Sequence, residues 1–197
     1  WRPRRRDDDG RSLPHPGTGS GARAAPRPGT ADLSGHHHVA DRRSLGERGN
    51  LHIYLPENAS AAVPFVFGIH GGGWMDGDQA TLHYLWERFR PLGIGLVLAS
   101  YRLAPEHPFP AAYEDLLAAL AWLKSGGGGQ GLDPSRCLLF GSSAGGHLAM
   151  LLATRAIAED RPRPAVCGVA QICGVMDLPA QYAWDEERGR SLTRDFL

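Results

Sequence analysis

The run Phe140-Gly141-Ser142-Ser143-Ala144-Gly145-Gly146-His147 constrains this chain more than any other stretch. The apolar residues Cys137 to Phe140 read as a buried strand, and Ala144 to Thr154 reads as the helix after it. Gly-x-Ser-x-Gly compresses strand to helix in one tight turn. Such a turn holds Ser143 at a strained backbone position with its hydroxyl exposed above the sheet edge. The flanking glycines let neighbouring elements approach without a Cβ clash. Taken alone, these residues also suit an ordinary turn serine. Their setting is more specific: a strand before, a helix after, and His70-Gly71-Gly72-Gly73-Trp74 about 70 residues upstream. Ser143 is therefore the candidate nucleophile.

The rest of the chain fits around that turn. Leu51-His52-Ile53-Tyr54-Leu55 alternates and ends at Pro56, which suits an early strand, and Val63 to Ile69 is a second apolar run ending in the His70 glycine loop. Thr81 to Phe89 can form a helix stopped by Pro91, Ile94 to Ser100 reads as a buried strand, and Val166 to Ile172 as a last one. Ala111 to Lys124 is an amphipathic helix with Leu116, Leu117, Leu120 and Leu123 on one side. The central runs recur at intervals of about 30 to 40 residues with helix-like sequence between them. That rhythm predicts an α/β fold, a mostly parallel sheet with helices on both faces. Ligand chemistry in such folds sits at the carboxyl ends of the strands, where both the glycine loop and Ser143 fall.

A serine attacking an acyl carbon generates an oxyanion, and backbone N–H groups already in place can stabilise it. Glycine lets such groups point inward unobstructed. Nothing in this chemistry requires a cofactor or metal. The formal net charge is zero, which gives no general argument for nucleic acid or an anionic membrane as partner. No apolar stretch approaches the length of a membrane-spanning helix. Cys137, Cys167 and Cys173 lie in or beside apolar runs without CxxC spacing, so buried free thiols are expected, not a disulfide framework or a zinc site.

Residues 1–48 differ in character from the other 149. They hold ten Arg against six Asp and Glu, and twelve of them are Gly or Pro. No helical or strand period emerges, so the segment is expected to be a disordered leader ahead of a single domain over 49–197. Asp7-Asp8-Asp9 cancels most of the field of Arg4-Arg5-Arg6, and His36-His37-His38 reads as a solvated run more readily than as a metal site.

Three segments carry a resemblance: His70-Gly71-Gly72-Gly73-Trp74, Tyr101 to Ala112 (YRLAPEHPFPAA), and Leu132-Asp133-Pro134-Ser135-Arg136 leading to Gly141-Ser142-Ser143-Ala144-Gly145-Gly146. From about residue 50 to 178 the chain resembles α/β-hydrolase esterases of the hormone-sensitive-lipase-like group, and also feruloyl- or acetyl-xylan-esterase-like and kynurenine-formamidase-like hydrolases. Ser142 stands where the lipase-like group usually has Asp. With Gly174-Val175-Met176-Asp177-Leu178, this departure tilts the resemblance toward the second set.

The resemblance implies a serine hydrolase acting on a small-molecule ester or amide through an acyl-serine intermediate. Gly72, Gly73 and Ala144 would form the oxyanion hole and His70 would support the loop, without cofactor. Pro105, Pro108 and Pro110 would stiffen a structural crossover, which makes Glu106 and His107 packing residues. His147 would stack along the helix away from the hydroxyl, and Asp177 would be structural.

The family needs Ser, then an acid, then His in chain order, but only 54 residues come after Ser143 and His147 is the one histidine among them. The expectation is an α/β-hydrolase fold incomplete at its C-terminus, its acid and base lying past Leu197. A polypeptide of these residues alone is expected to be poorly soluble and nearly inactive. An arylformamidase, and a non-catalytic binding protein that keeps the pocket, remain open beside the carboxylesterase. Acyl preference, compartment and oligomeric state are not legible.

Overall fold

A computed structural model describes residues 36–40, 51–57, 59–126, 131–160 and 162–197, all within the compact unit Ala31–Leu197. Residues 1–35 and 41–48 of the expected leader, with the Arg and Asp clusters, lie outside the described residues.

Six strands form one sheet in the order β1-β2-β4-β3-β5-β6. They are β1 (His36–Ala40), β2 (Leu51–Leu55), β3 (Val63–Ile69), β4 (Gly95–Ala99), β5 (Leu132–Ser142) and β6 (Val166–Ile172). β3, β4, β5 and β6 run parallel, and β2 joins β4 antiparallel. β1 pairs antiparallel with β2, from His36 opposite Leu55 to Ala40 opposite Leu51. This strand lies inside the 1–48 segment, where the local pattern shows no strand period. Its order comes from the edge of β2, which offers backbone partners whatever the side chains are.

Side-chain alternation splits the core into two layers. On one face Phe65, Phe67, Ile69, Val97, Ala99 and Leu139 meet α2 (Ala111–Lys124) and α3 (Ala144–Ala158). The four leucines expected on one side of α2 are all buried there. On the opposite face Val66, Leu96 and Leu98 pack with Tyr54, Leu82, Leu85 and Trp86. The helix expected over Thr81–Phe89 is a 3₁₀ helix over Gln79–Leu85 followed by the short α1 (Trp86–Phe89). Side chains three apart eclipse in a 3₁₀ turn, which brings Leu82 and Leu85 onto the sheet together.

β5 is longer than the apolar run Cys137–Phe140 because Leu132 pairs with Val63 across a register shift. The exposed turn between is held by Asp133, which accepts from the Ser135 hydroxyl at 2.6 Å, the Ser135 N–H at 2.9 Å and Arg136 Nε at 2.6 Å. These bonds, the Ser135 hydroxyl first, bring its carboxyl down to about 2.

Among the described residues β6 pairs on one side only, and most of it is exposed. The cysteines divide accordingly. Cys137 in β5 is buried, its thiol pushed up to about 12 by desolvation, whereas Cys167 and Cys173 are exposed, contrary to the expectation of three buried thiols. Two elements beyond the expected set come after β6: α4 (Leu178–Glu187) and α5 (Leu192–Phe196).

Candidate active site

The carboxyl ends of β3 and β5 are adjacent, Ile69 opposite Gly141, so each strand delivers its loop to the same place. Ser143 comes directly after β5 with φ of 53°, a left-handed value that a residue with a Cβ adopts only under constraint. Its N–H donates to the Ile172 carbonyl at 2.7 Å, and its own carbonyl accepts from His147 at 3.1 Å in the first turn of α3. β6 therefore clamps the elbow from one flank.

Close packing explains the glycines around it. A Cβ on Gly145 would lie 2.2 Å from the Ile69 carbonyl oxygen and 2.5 Å from that of His70. A Cβ on Gly141 would lie 2.1 Å from the Gly145 oxygen. Across the site, a Cβ on Gly71 would come within 3.3 Å of the Ser143 Cβ, so the glycine loop and the elbow are in contact.

In the glycine loop, φ is 118° at Gly72, 59° at Gly73 and 62° at Trp74. The Gly72 carbonyl accepts from Met75 at 3.1 Å and Asp76 at 3.0 Å, folding the loop back over itself. The N–H groups of Gly72 and Gly73 meet no acceptor among the described residues. Ala144 opens α3, and its N–H is among the donors that a helix start leaves without an intrahelical partner.

His70 is fully buried under this loop. Its ring stacks on Tyr101 at 4.3 Å and 7°, and its Nδ1 donates to the Gly71 carbonyl at 2.7 Å. Because a carbonyl only accepts, Nδ1 carries the proton. The Tyr101 hydroxyl donates to the His70 carbonyl at 3.0 Å, so the crossover segment braces the loop. Asp115 fixes that segment in turn: it accepts from the Arg102 N–H at 2.9 Å and from Arg102 Nη2 at 2.8 Å. Glu106 and His107 are exposed in the crossover turn.

His147 is buried, and its Nδ1 accepts from Trp74 Nε1 at 3.3 Å. The lone pair of the neutral ring is thereby spent on the indole, and desolvation lowers its pKa. It is not poised to take a proton from Ser143. Asp177 caps α4 by accepting from the Ala180 N–H at 2.9 Å.

A layer that the sequence did not announce closes over the loop. Phe196 of α5 stacks on Trp74 at 4.5 Å and meets His147 edge-on, while its carbonyl accepts from the Phe109 N–H at 2.6 Å. Leu192 sits where a Cβ on Gly73 would come within 2.7 Å. Asp185 ties α4 to α5, accepting from the Thr193 hydroxyl at 2.5 Å and N–H at 3.2 Å. The apolar residues at 192 and 196 were the available signal, but five residues are too few to show a period.

Among the described residues no group of three or more His, Cys, Asp or Glu is placed to hold a metal, and no helix is long and apolar enough to cross a membrane.

Comparison with known proteins identifies the fold. The sequence model of the α/β hydrolase fold family matches residues 66–196. Carboxylesterase NlhH of Mycobacterium tuberculosis is 39% identical over 119 residues, which are 57% of this chain and 37% of that protein. Esterase LipI of the same species is 43% identical over 108 residues, 53% of this chain and 33% of its own length. The crystal structure of an inhibited esterase B from Lactobacillus rhamnosis superposes with a TM-score of 0.70 at 29% identity, over 82% of this chain and 56% of that one. The match to these two curated relatives thus spans about a third of their length.

Proposed function

Because the chain belongs to the α/β hydrolase fold family, we propose that it cleaves carboxylic esters of small molecules through an acyl intermediate on Ser143. The observation that carries this reading is the left-handed elbow at Ser143, in contact with a glycine loop whose Gly72 and Gly73 N–H groups have no other acceptor among the described residues.

In this reading the Ser143 oxygen bonds to the carbonyl carbon and the π pair moves onto oxygen. The N–H groups of Gly72, Gly73 and Ala144 hold that oxyanion, each worth roughly 3 to 4 kcal/mol in the transition state. Collapse breaks the bond to the alcohol, which leaves with the proton taken from Ser143, and water then releases the acid. His70 holds the loop and does not transfer protons.

The base is none of the histidines whose side chains are described. His70 is engaged with the Gly71 carbonyl and His147 with Trp74, His52 and His83 face each other at 3.0 Å, and His107 lies on the exposed crossover turn. In this reading the base is therefore a group other than these histidines. Without its base a serine hydrolase loses on the order of 10⁶ in kcat. Slow acylation by an activated ester still reads out the nucleophile. The chain is incubated with p-nitrophenyl butyrate and the acyl group is located by peptide mass spectrometry. One butyryl group on Ser143, absent from Ser143→Ala, is expected. Butyrylation scattered over several serines, or unchanged in the variant, sinks the reading.

Ser142, in place of the Asp usual in lipase-like relatives, favours an arylformamide as second substrate class. Comparing N-formylkynurenine with p-nitrophenyl butyrate as acyl donors to Ser143 separates the two.

A further inference from the structure

A second candidate site lies at the opposite end of the sheet. A cleft of about 510 Å³ is lined by Lys124, Pro134, Ser135, Asp160, Arg163, Pro164 and Ala165. It sits between the end of α2, the amino end of β5 and the segment leading into β6. Two backbone bonds weld its walls: Ala165 N–H to the Pro134 carbonyl at 2.8 Å, and Cys137 N–H to the Ala165 carbonyl at 3.1 Å. Ser135 precedes and Ser143 follows the regular ladder Cys137–Ser142 of β5, which holds the two roughly 20 Å apart.

The cleft holds unspent cationic donors. Lys124 has no ion-pair partner among the described residues. Among the described residues the Arg163 guanidinium has one hydrogen-bond contact, Nη1 to the Pro164 carbonyl at 3.4 Å, longer than an ordinary hydrogen bond. Its Nε is enclosed and reaches no acceptor among the described residues. An enclosed donor left in this state costs about 1 to 3 kcal/mol, and two cations on one cleft repel. An anion in the cleft relieves that repulsion.

The lining also specifies which anion. Asp160, held at φ of 50° where α3 ends, leaves the cleft with two cations against one carboxylate, which suits a single negative charge. Arginine presents a planar fork that matches the two oxygens of a carboxylate. Pro134, Pro164 and Ala165 supply a rigid apolar wall for the body attached to it.

We propose that this cleft binds a small organic carboxylate, its carboxyl group on Arg163 and Lys124 and its apolar body against the two prolines. The site stands apart from Ser143, and its failure would leave the reading of Ser143 untouched.

The probes are benzoate and inorganic phosphate, titrated into the ¹⁵N-labelled chain at constant ionic strength while the Ser135 and Ala165 amides are monitored. Benzoate is expected to shift both saturably and phosphate to bind more weakly, because Asp160 repels its second charge. Lys124→Gln and Arg163→Gln should each weaken benzoate about fivefold or more, the scale of one charge-assisted hydrogen bond. Asp160→Asn should tighten it about threefold by removing one like charge. Lys124 and Asp160 are exposed and Arg163 is half-buried, and unchanged spectra elsewhere show an intact fold. No saturable shift, equal binding by Arg163→Gln and the parent chain, or phosphate binding as tightly as benzoate each overturns the proposal.

Discussion

Gly145→Ala tests whether the elbow depends on backbone contact between α3 and β3. The new Cβ would lie 2.2 Å from the Ile69 oxygen and 2.5 Å from the His70 oxygen, where ordinary contact begins at 3.4 Å. Both obstacles are main chain at the end of a central strand, so α3 must retreat by roughly 1 Å. Overpacking of this kind costs about 3 kcal/mol, and the better helix propensity of Ala returns about 1 kcal/mol. A net loss of about 2 kcal/mol lowers the urea midpoint by about 1 M, for a slope near 2 kcal/mol/M. The neighbouring Gly146→Ala is the control. Its Cβ would meet Gly174 Cα at 3.0 Å and Gln171 at 3.3 Å, at the end of the edge strand β6 and just after it, where the exposed Gln171 side chain can give way. There the gain in propensity offsets the crowding, and the midpoint should move by less than about 0.5 M. Urea melts read by tryptophan fluorescence measure both. Acylation of Ser143 should fall about 100-fold in Gly145→Ala alone, since a shift of 1 Å spoils the attack geometry. Equal midpoints for the two variants would refute the idea that backbone contact with β3 dictates glycine at 145.

Phe196→Ala should cost about 3 kcal/mol or more, the usual loss for a buried Phe, because its ring is buried against Trp74. Hydrogen exchange should show the Phe109 amide, which donates to the Phe196 carbonyl, losing protection; retained protection would mean that α5 is not held by that ring. Asp185 has its pKa raised by desolvation but lowered further by the Thr193 and Gln181 hydrogen bonds, for a net depression. Its contribution is fully present above the ordinary aspartate range near 3.9 and lost as pH falls through the folded value, so Asp185→Asn should flatten the acid limb of urea midpoints below about pH 4. His147, with its pKa lowered by burial, binds a proton more readily when unfolded. Stability should therefore be full above about pH 6.5 and decline as pH drops below it, with His147→Gln removing that slope, as midpoints from pH 7.5 to 5 would reveal.

Much of the site was legible because it is local. A strand, a tight glycine turn and a helix are contiguous in sequence, so Gly141–Gly145 pointed to a strained backbone at Ser143, which the structure holds at φ of 53°. The parallel core was equally legible, since strands buried on both faces need unbroken apolar runs, which Val63–Ile69 and Cys137–Phe140 display. Leu116, Leu117, Leu120 and Leu123 likewise carried the buried face of α2 in their spacing.

Other features depend on partners far away in the chain. β1 owes its order to the edge of β2, and nothing in His36–Ala40 itself demands a strand. Cys137 and Cys167 look alike in sequence, yet one is buried between strands and the other exposed at a sheet edge, because burial is set by strand order. Trp74, His147 and Phe196 become one aromatic cluster only when α5 returns to the glycine loop, across 122 residues of chain between its first and last members. Local pattern determines which backbone conformations are cheap, so the elbow, the core strands and the helix faces belonged to the sequence. The proton-bearing nitrogens of His70 and His147, the lid of Leu192 and Phe196, and the cationic cleft at Arg163 were decided by tertiary structure, because hydrogen bonding and desolvation depend on which groups meet in space.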